Sequence, residues 1–415
     1  MTIFTDFDAG HRDLVTVTKF NFYGNRILTA SSDHRIKVWD QKDEGWELID
    51  TWRAHDAEIR DAAWNGPFTG QHIGSVGEDM RFKIWQEDAT QPPNSGRRFR
   101  NIFRLTSPIR APYVSLDFRN IDLESYLALI TRDGLLTVLE PVSPDSLAEW
   151  QQVDQFRVCA EPSRGEETSF KVQFYHDPMD ITQIILPGWD SKCLSLVVAA
   201  MDTVKIYRTD ANRRFYHAIE LGGHGGLVRD ISWANGSVRG CDLIASGSKD
   251  GIVKVFEVYT TLTNSANTTT NGARRPALGP PRSPTGRTST QSGIGTALAN
   301  RLPATLMNRQ GGGDAIFNHT YKEVASIDSK HLDVWQVEFS QAGDCLLSSG
   351  DDGMVRFWKR SISGKWLEFA ETDMADDRND EIIIEEFAST VPSYEGFPEK
   401  ENQKLEVDYA FRRFV

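Results

Sequence analysis

Residues 27–40, ILTASSDHRIKVWD, read as strand, tight turn, strand. Residues 27–30 are apolar and β-prone, Ser31-Ser32-Asp33-His34 are turn residues, and 35–39 alternate before ending on a large aromatic. Asp33 stands six residues before Trp39, and the same offset returns from Asp79 to Trp85, Asp250 to Phe256 and Asp352 to Trp358. It has a degenerate end from Asp133 to Leu139, and a shortened copy runs from Asp202 to Tyr207. Six such units signal a repeat architecture, which has to be recognised before any other fold assignment.

Outward from that stretch, a His opens each clear unit. His11 precedes an apolar strand over 14–20, and a further strand starts at Gly45-Trp46 and runs to about Arg53. His55 precedes a strand over 59–64, and Gly66-Pro67 leads into HIGSVGEDMRFKIW. His224 and His331 open later copies, before LVRDISW and VWQVEF. The spacing is close to the roughly 40–45 residues of a four-stranded propeller blade. The third copy, over 113–118 and 126–140, keeps Asp133-Gly134 but has no opening His, and 141–150 then read as a connection to a strand near 153–158. The fourth is weakest, with strands over 170–174 and 194–207 joined by a long connection at 175–190. Four short strands would leave two apolar faces, and radial stacking buries both between neighbours. The expectation is an all-β, six-bladed propeller.

The domain reading is blades one to five over 1–259, an insertion over 260–318, blade six over 319–370 and a tail over 371–415. The insertion is rich in Thr, Asn, Gly, Pro, Ser and Arg and holds one acid, Asp314, so its composition reads as disordered. It contains Ser283-Pro284, a candidate phosphorylation site whose phosphate would partly cancel the local positive charge. Acids dominate the tail, where EIIIEEF (381–387) is a candidate docking segment.

A net charge of −13 argues against a dedicated nucleic-acid binder, which needs clustered Lys and Arg. Cys159, Cys193, Cys241 and Cys345 form no CxxC pair, so neither a zinc site nor a disulfide framework is indicated and a reducing compartment fits. The opening residues do not read as a secretory signal, and the longest apolar run, 194–201, is too short to span a bilayer. Catalytic signals fail on inspection. A His11–Ser31–Asp33 triad would occur once, whereas this set recurs. Gly222-Gly223-His224-Gly225-Gly226 precedes a strand rather than the helix that a phosphate loop requires. Asp351-Asp352-Gly353 lacks the later calcium ligands, and no HxH or HExxH pair exists. No catalytic, metal-binding or cofactor-binding residue is assigned.

Gly10-His11, Gly223-His224 and Trp39-Asp40 match the signature of the WD-repeat family. That resemblance implies a His–Asp bond fixing the turn of each blade, for His11–Asp33–Trp39, His55–Asp79–Trp85, His224–Asp250 and His331–Asp352–Trp358. Four stretches narrow the family: HRDLVTVTKFNFYGNRILTASSDHRIKVWD (11–40), WRAHDAEIRDAAW (52–64), Glu140-Pro141 through Leu147 and Trp150, and SSGDDGMVRFWK (348–359). Together they resemble the Seh-type WD-repeat nucleoporins, relatives of the vesicle-coat protein Sec-thirteen. The resemblance implies an open six-bladed ring and a non-catalytic scaffold role in the Y-shaped complex of the nuclear pore, at the nuclear envelope. A large helical-solenoid nucleoporin would supply a seventh blade in trans, beside other Y-complex subunits and with no direct nucleic-acid contact. It also implies service in an amino-acid signalling, TOR-regulating complex at the vacuole or lysosome surface. The gap is expected between the first and last blades, with Thr2, Ile3, Phe4 and Phe7 as the docking edge. The competing readings are a closed-ring adaptor that reads peptide motifs and a vesicle-coat subunit of the Sec-thirteen type.

Overall fold

In the computed structural model the described residues are 8–42, 45–67, 70–121, 123–176, 192–210, 212–235, 240–262, 317–340 and 342–373. They form six antiparallel four-stranded sheets, each built from consecutive strands. Blade one is β1 (Val15–Phe20), β2 (Arg26–Ser31), β3 (Arg35–Lys42) and β4 (Gly45–Arg53). Blade two is β5 (Ile59–Trp64), β6 (His72–Gly77), β7 (Arg81–Glu87) and β8 (Phe99–Thr106). Blade three is β9 (Tyr113–Ile121), β10 (Glu124–Thr131), β11 (Leu135–Ser143) and β12 (Ser146–Arg157). Blade four is β13 (Phe170–Phe174), β14 (Ser195–Ala200), β15 (Thr203–Thr209) and β16 (Phe215–Leu221). Blade five is β17 (Val228–Trp233), β18 (Asp242–Ser248), β19 (Ile252–Leu262) and β20 (Phe317–Asp328). Blade six is β21 (Val334–Phe339), β22 (Cys345–Gly350), β23 (Met354–Arg360) and β24 (Trp366–Asp373). The protein is therefore an all-β, six-bladed propeller, as its repeats imply.

Burial explains why second strands lose the alternating pattern. Both faces of β6, β14 and β18 are covered by neighbouring blades, and every residue in them is buried. Outer strands such as β12 and β20 are mostly open to solvent and alternate only weakly. Five apolar clusters each join two successive blades. Between blades one and two, Leu28, Ala30, Ile36 and Val38 meet Ile59, Ala62, Ile73 and Trp85. There Trp52 stacks on Phe99, with ring centroids 4.5 Å apart and planes 13° from parallel. Between five and six, Ala245, Val253 and Val255 meet Val334, Val337, Leu346 and Trp358.

Three segments differ from the sequence expectation. Residues 141–150 are not a connection: β11 and β12 form one long hairpin turning at Pro144-Asp145, with Ser143 opposite Ser146. A two-residue turn lets the ladder continue to the hairpin tip. Likewise β19 and β20 run into the ends of the 260–318 segment, pairing Thr260 with His319, Thr261 with Asn318 and Leu262 with Phe317. Thr is β-branched and suits a paired outer strand despite the polar composition around it. The last strand reaches Asp373, past the expected end at 370.

Candidate functional site

The structure brings the opening His, the turn Asp and a hydroxyl together in four blades. In blade two, His55 Nδ1 lies 2.9 Å from Asp79 Oδ1 and Nε2 lies 2.8 Å from Ser75 Oγ. Trp85 Nε1 donates to the same Ser75 Oγ at 2.9 Å. An indole can only donate and an ionised carboxylate can only accept. The chain therefore has one consistent direction: Trp85 to Ser75, Ser75 to His55 Nε2, and His55 Nδ1–H to Asp79. Asp79 also accepts the backbone N–H groups of Asp56 and Arg81, which fixes the turn.

Blade one repeats the arrangement with His11, Asp33, Thr29 and Trp39 at 3.0–3.1 Å. Blade six does so with His331, Asp352, Ser348 and Trp358 at 2.6–3.2 Å. In blade five His224 meets Asp250 at 3.2 Å and Ser246 at 2.8 Å, and Phe256 replaces the indole. The hydroxyls Thr29, Ser75, Ser246 and Ser348 are the members that the motif reading omitted. Each stands four residues before its Asp, a constant offset that would have revealed them. In blade three Arg157 replaces the His, its guanidinium 2.8 Å from Asp133.

Burial pushes the His11, His55 and His224 imidazoles below their usual 6.5, against the pull of their Asp partners. Burial alone would raise Asp79, but the hydrogen bond and charge of His55 outweigh it and hold the carboxyl at about 2. A neutral imidazole beside an ionised carboxylate is what the donor direction requires. In each of these blades the Asp accepts backbone N–H groups of its own turn, so the network ties the opening His to that turn. Among the described residues, no group of three His, Cys, Asp or Glu side chains is placed to hold a metal, and no helix is long and apolar enough to cross a membrane.

The flank between blades one and six is built differently. Inner strands pack in the series β1, β5, β9, β13, β17, β21, but β21 and β1 do not share that packing. The register makes the comparison residue by residue. Val15 of β1 is 38% exposed, while its counterparts Ile59, Tyr113, Phe170, Val228 and Val334 are all buried. Thr18 is exposed where Ala62, Leu116, Val172, Ile231 and Val337 are buried. On the facing side, Cys345, Phe357, Phe369 and Ala370 form a cluster confined to blade six, with Leu347 and Val355 only half-buried at its edge. The counterparts of Leu347 in blades one, three, four and five, Leu28, Ala128, Val197 and Ala245, are wholly buried. Among the described residues, then, these two faces lack the neighbour that every other blade face has. Thr2, Ile3, Phe4, Phe7, Ser283 and the 381–387 segment lie outside the described residues.

The WD domain, G-beta repeat family matches residues 3–40, 216–257 and 322–359. These spans include His11, His224 and His331 with their Asp partners. The chain is 30% identical to nucleoporin SEH1 of Saccharomyces cerevisiae over 365 residues, covering 87% of this chain and 96% of that relative. Nucleoporin SEH1 of Chaetomium thermophilum is 29% identical over 508 residues, covering 87% and 93%. Nucleoporin seh1 of Schizosaccharomyces pombe is 27% identical over 366 residues, covering 86% and 93%.

Proposed function

This chain belongs to the SEH1 family of WD-repeat nucleoporins, and we propose that within the nuclear pore it is a scaffold subunit whose ring is completed by a blade from another protein. The nuclear pore complex in the nucleus is its place of action. The completing blade comes from a large helical-solenoid nucleoporin of the Y-shaped complex, bound one to one. One observation carries this reading: Val15 and Thr18 on one face, and Leu347 and Val355 on the other, are left open at positions that a neighbouring blade buries elsewhere in the ring. Covering such a flank removes apolar area from water, which drives stable association. The His–Asp networks serve this role by bracing the turns of blades one, two, five and six. A second assembly, an amino-acid signalling complex, would use the same flank and so compete with the first.

The test is purification of the tagged full-length chain from its own cells at moderate salt, with companions weighed and counted. One helical nucleoporin at one to one is the expected result. Thr18→Arg and Leu347→Arg place a charge on the two faces and should each release that companion while the circular dichroism of the propeller is retained. Undiminished one-to-one recovery with either folded variant would overturn the reading. A stable, partnerless subunit that binds short peptides at the channel would favour the closed-ring adaptor.

A further inference from the structure

Successive blades are joined by more than apolar contact. Side chains on one inner strand accept backbone N–H groups from the next. Asp61 Oδ2 accepts Leu116 N–H at 3.2 Å, from blade two to three. Asp117 Oδ2 accepts Phe174 N–H at 2.7 Å, and Ser115 Oγ accepts Val172 N–H at 3.3 Å, from three to four. Gln173 Oε1 accepts Trp233 N–H at 2.9 Å, from four to five. Asp230 Oδ2 and Ser232 Oγ accept Val337 N–H at 3.1 Å and Phe339 N–H at 2.9 Å, from five to six. The acceptors occupy two positions on the strand, two residues apart, and the donors belong to the edge of the next inner strand that no ladder uses.

Register carries the pattern to the open flank. Asp230 and Ser232 sit opposite Gly247 and Ala245 on the second strand of blade five. Gln336 and Glu338 sit opposite Ser349 and Leu347, the same places in blade six. Both are exposed, and their mutual bond, Gln336 Nε2 to Glu338 Oε2 at 3.3 Å, leaves Gln336 Oε1 available to accept. On the far side, Thr18 and Phe20 sit opposite Thr29 and Ile27, as Val337 and Phe339 sit opposite Ser348 and Leu346. Among the described residues, the flank thus holds two acceptors that no backbone N–H of a neighbouring blade reaches and two edge N–H groups without side-chain acceptors.

We propose that the completing blade is recognised by a polar clasp. Gln336 and Glu338 take two N–H groups of its innermost strand, and that strand presents two accepting side chains, two residues apart, to the N–H groups of Thr18 and Phe20. The acceptors are of the Asp, Gln and Ser kind that Asp61, Ser115, Asp117, Gln173, Asp230 and Ser232 supply from blade two to blade six, whereas the same places hold Val17 and Lys19 in blade one, Ala63 in blade two and Lys171 in blade four. The proposal deepens the trans-completion reading and rests on it. A buried N–H left without its acceptor costs binding energy, whereas either Glu or Gln can serve as acceptor. The clasp therefore sets which strand fits and in which register, while the apolar faces supply area.

The experiment measures the dissociation constant of the full-length chain with the helical nucleoporin that co-purifies with it. Glu338→Leu and Gln336→Leu, both at exposed positions, should each weaken binding about tenfold, and Glu338→Gln should stay within about threefold. A photo-cross-linker carried on Gln336→Cys should capture a partner strand bearing acceptors two residues apart. Three results would overturn the clasp: Leu variants that bind like the unsubstituted chain, a captured strand apolar at both places, or capture of a second copy or another segment of this chain. If the Leu variants bind normally while Thr18→Arg releases the partner, the clasp fails and trans completion stands. If Thr18→Arg also binds normally, both fail.

Discussion

Replacing Ser75 by Ala removes one oxygen that serves two buried partners. Trp85 Nε1 donates to it at 2.9 Å, and its own hydroxyl donates to His55 Nε2 at 2.8 Å. Ser75 is 0% exposed and Trp85 is 7% exposed, so water does not replace what is lost. Each buried group left without a partner costs about 1–3 kcal/mol, and Ser75→Ala should cost about 2–6 kcal/mol in total. Blade five supplies the internal comparison. Ser246 is equally buried and bonds His224 Nε2 at 2.8 Å, but Phe256 stands where the indole would be. Ser246→Ala leaves one group unpartnered and should cost about 1–3 kcal/mol. Urea unfolding of the full chain, followed by tryptophan fluorescence and far-UV circular dichroism, measures both, and coincident transitions license the comparison. With Trp85→Phe as background, the cost of Ser75→Ala should fall to that of Ser246→Ala. A Ser246→Ala cost equal to or above that of Ser75→Ala would refute the relay as drawn.

Acid should weaken the fold in two windows. His11, His55 and His224 have folded values below 6.5, so the unfolded chain binds more protons, and stability should fall as pH drops below about 6.5 in urea titrations. The contribution of the lowered Asp79 is present above 3.8 and is lost as pH falls through about 2, so Asp79→Asn should flatten that part of the profile. Trp52→Ala, at the stack on Phe99, should cost about 3–5 kcal/mol in the same unfolding assay. Trp52→Phe should cost clearly less, because Trp52 Nε1 is a buried donor without an acceptor. Gly350→Ala would place a Cβ 2.5–2.6 Å from His331 Cγ and Cβ, so the ring must leave Asp352. A marked drop in melting temperature is expected, and an unchanged melt would show that the blade-six turn does not depend on that bond.

Much of this protein is written locally. The six-residue Asp-to-aromatic offset, the opening His and the apolar second strands identified blades one, two, five and six, because each belongs to one hairpin and its turn. The hydroxyl four residues before each Asp was equally legible once the indole was asked where its hydrogen goes. Outer strands were harder. Phe99–Thr106 and Phe215–Leu221 are paired on one side, half exposed, and carry no turn signature of their own. In blade three the signal misled, since the long hairpin over β11 and β12 is held by pairing that composition does not announce.

What the sequence by itself determined is the repeat, the blade count and the family, since these rest on contacts within a few tens of residues. Only the tertiary structure decided what each polar residue on an inner strand does. Asp230 and Gln336 are alike in pattern, yet one accepts Val337 N–H across a blade interface and the other faces solvent. The difference lies in whether a neighbour stands beyond the blade. That depends on how the angles between six blades add up around the ring, a sum that no local stretch of sequence contains.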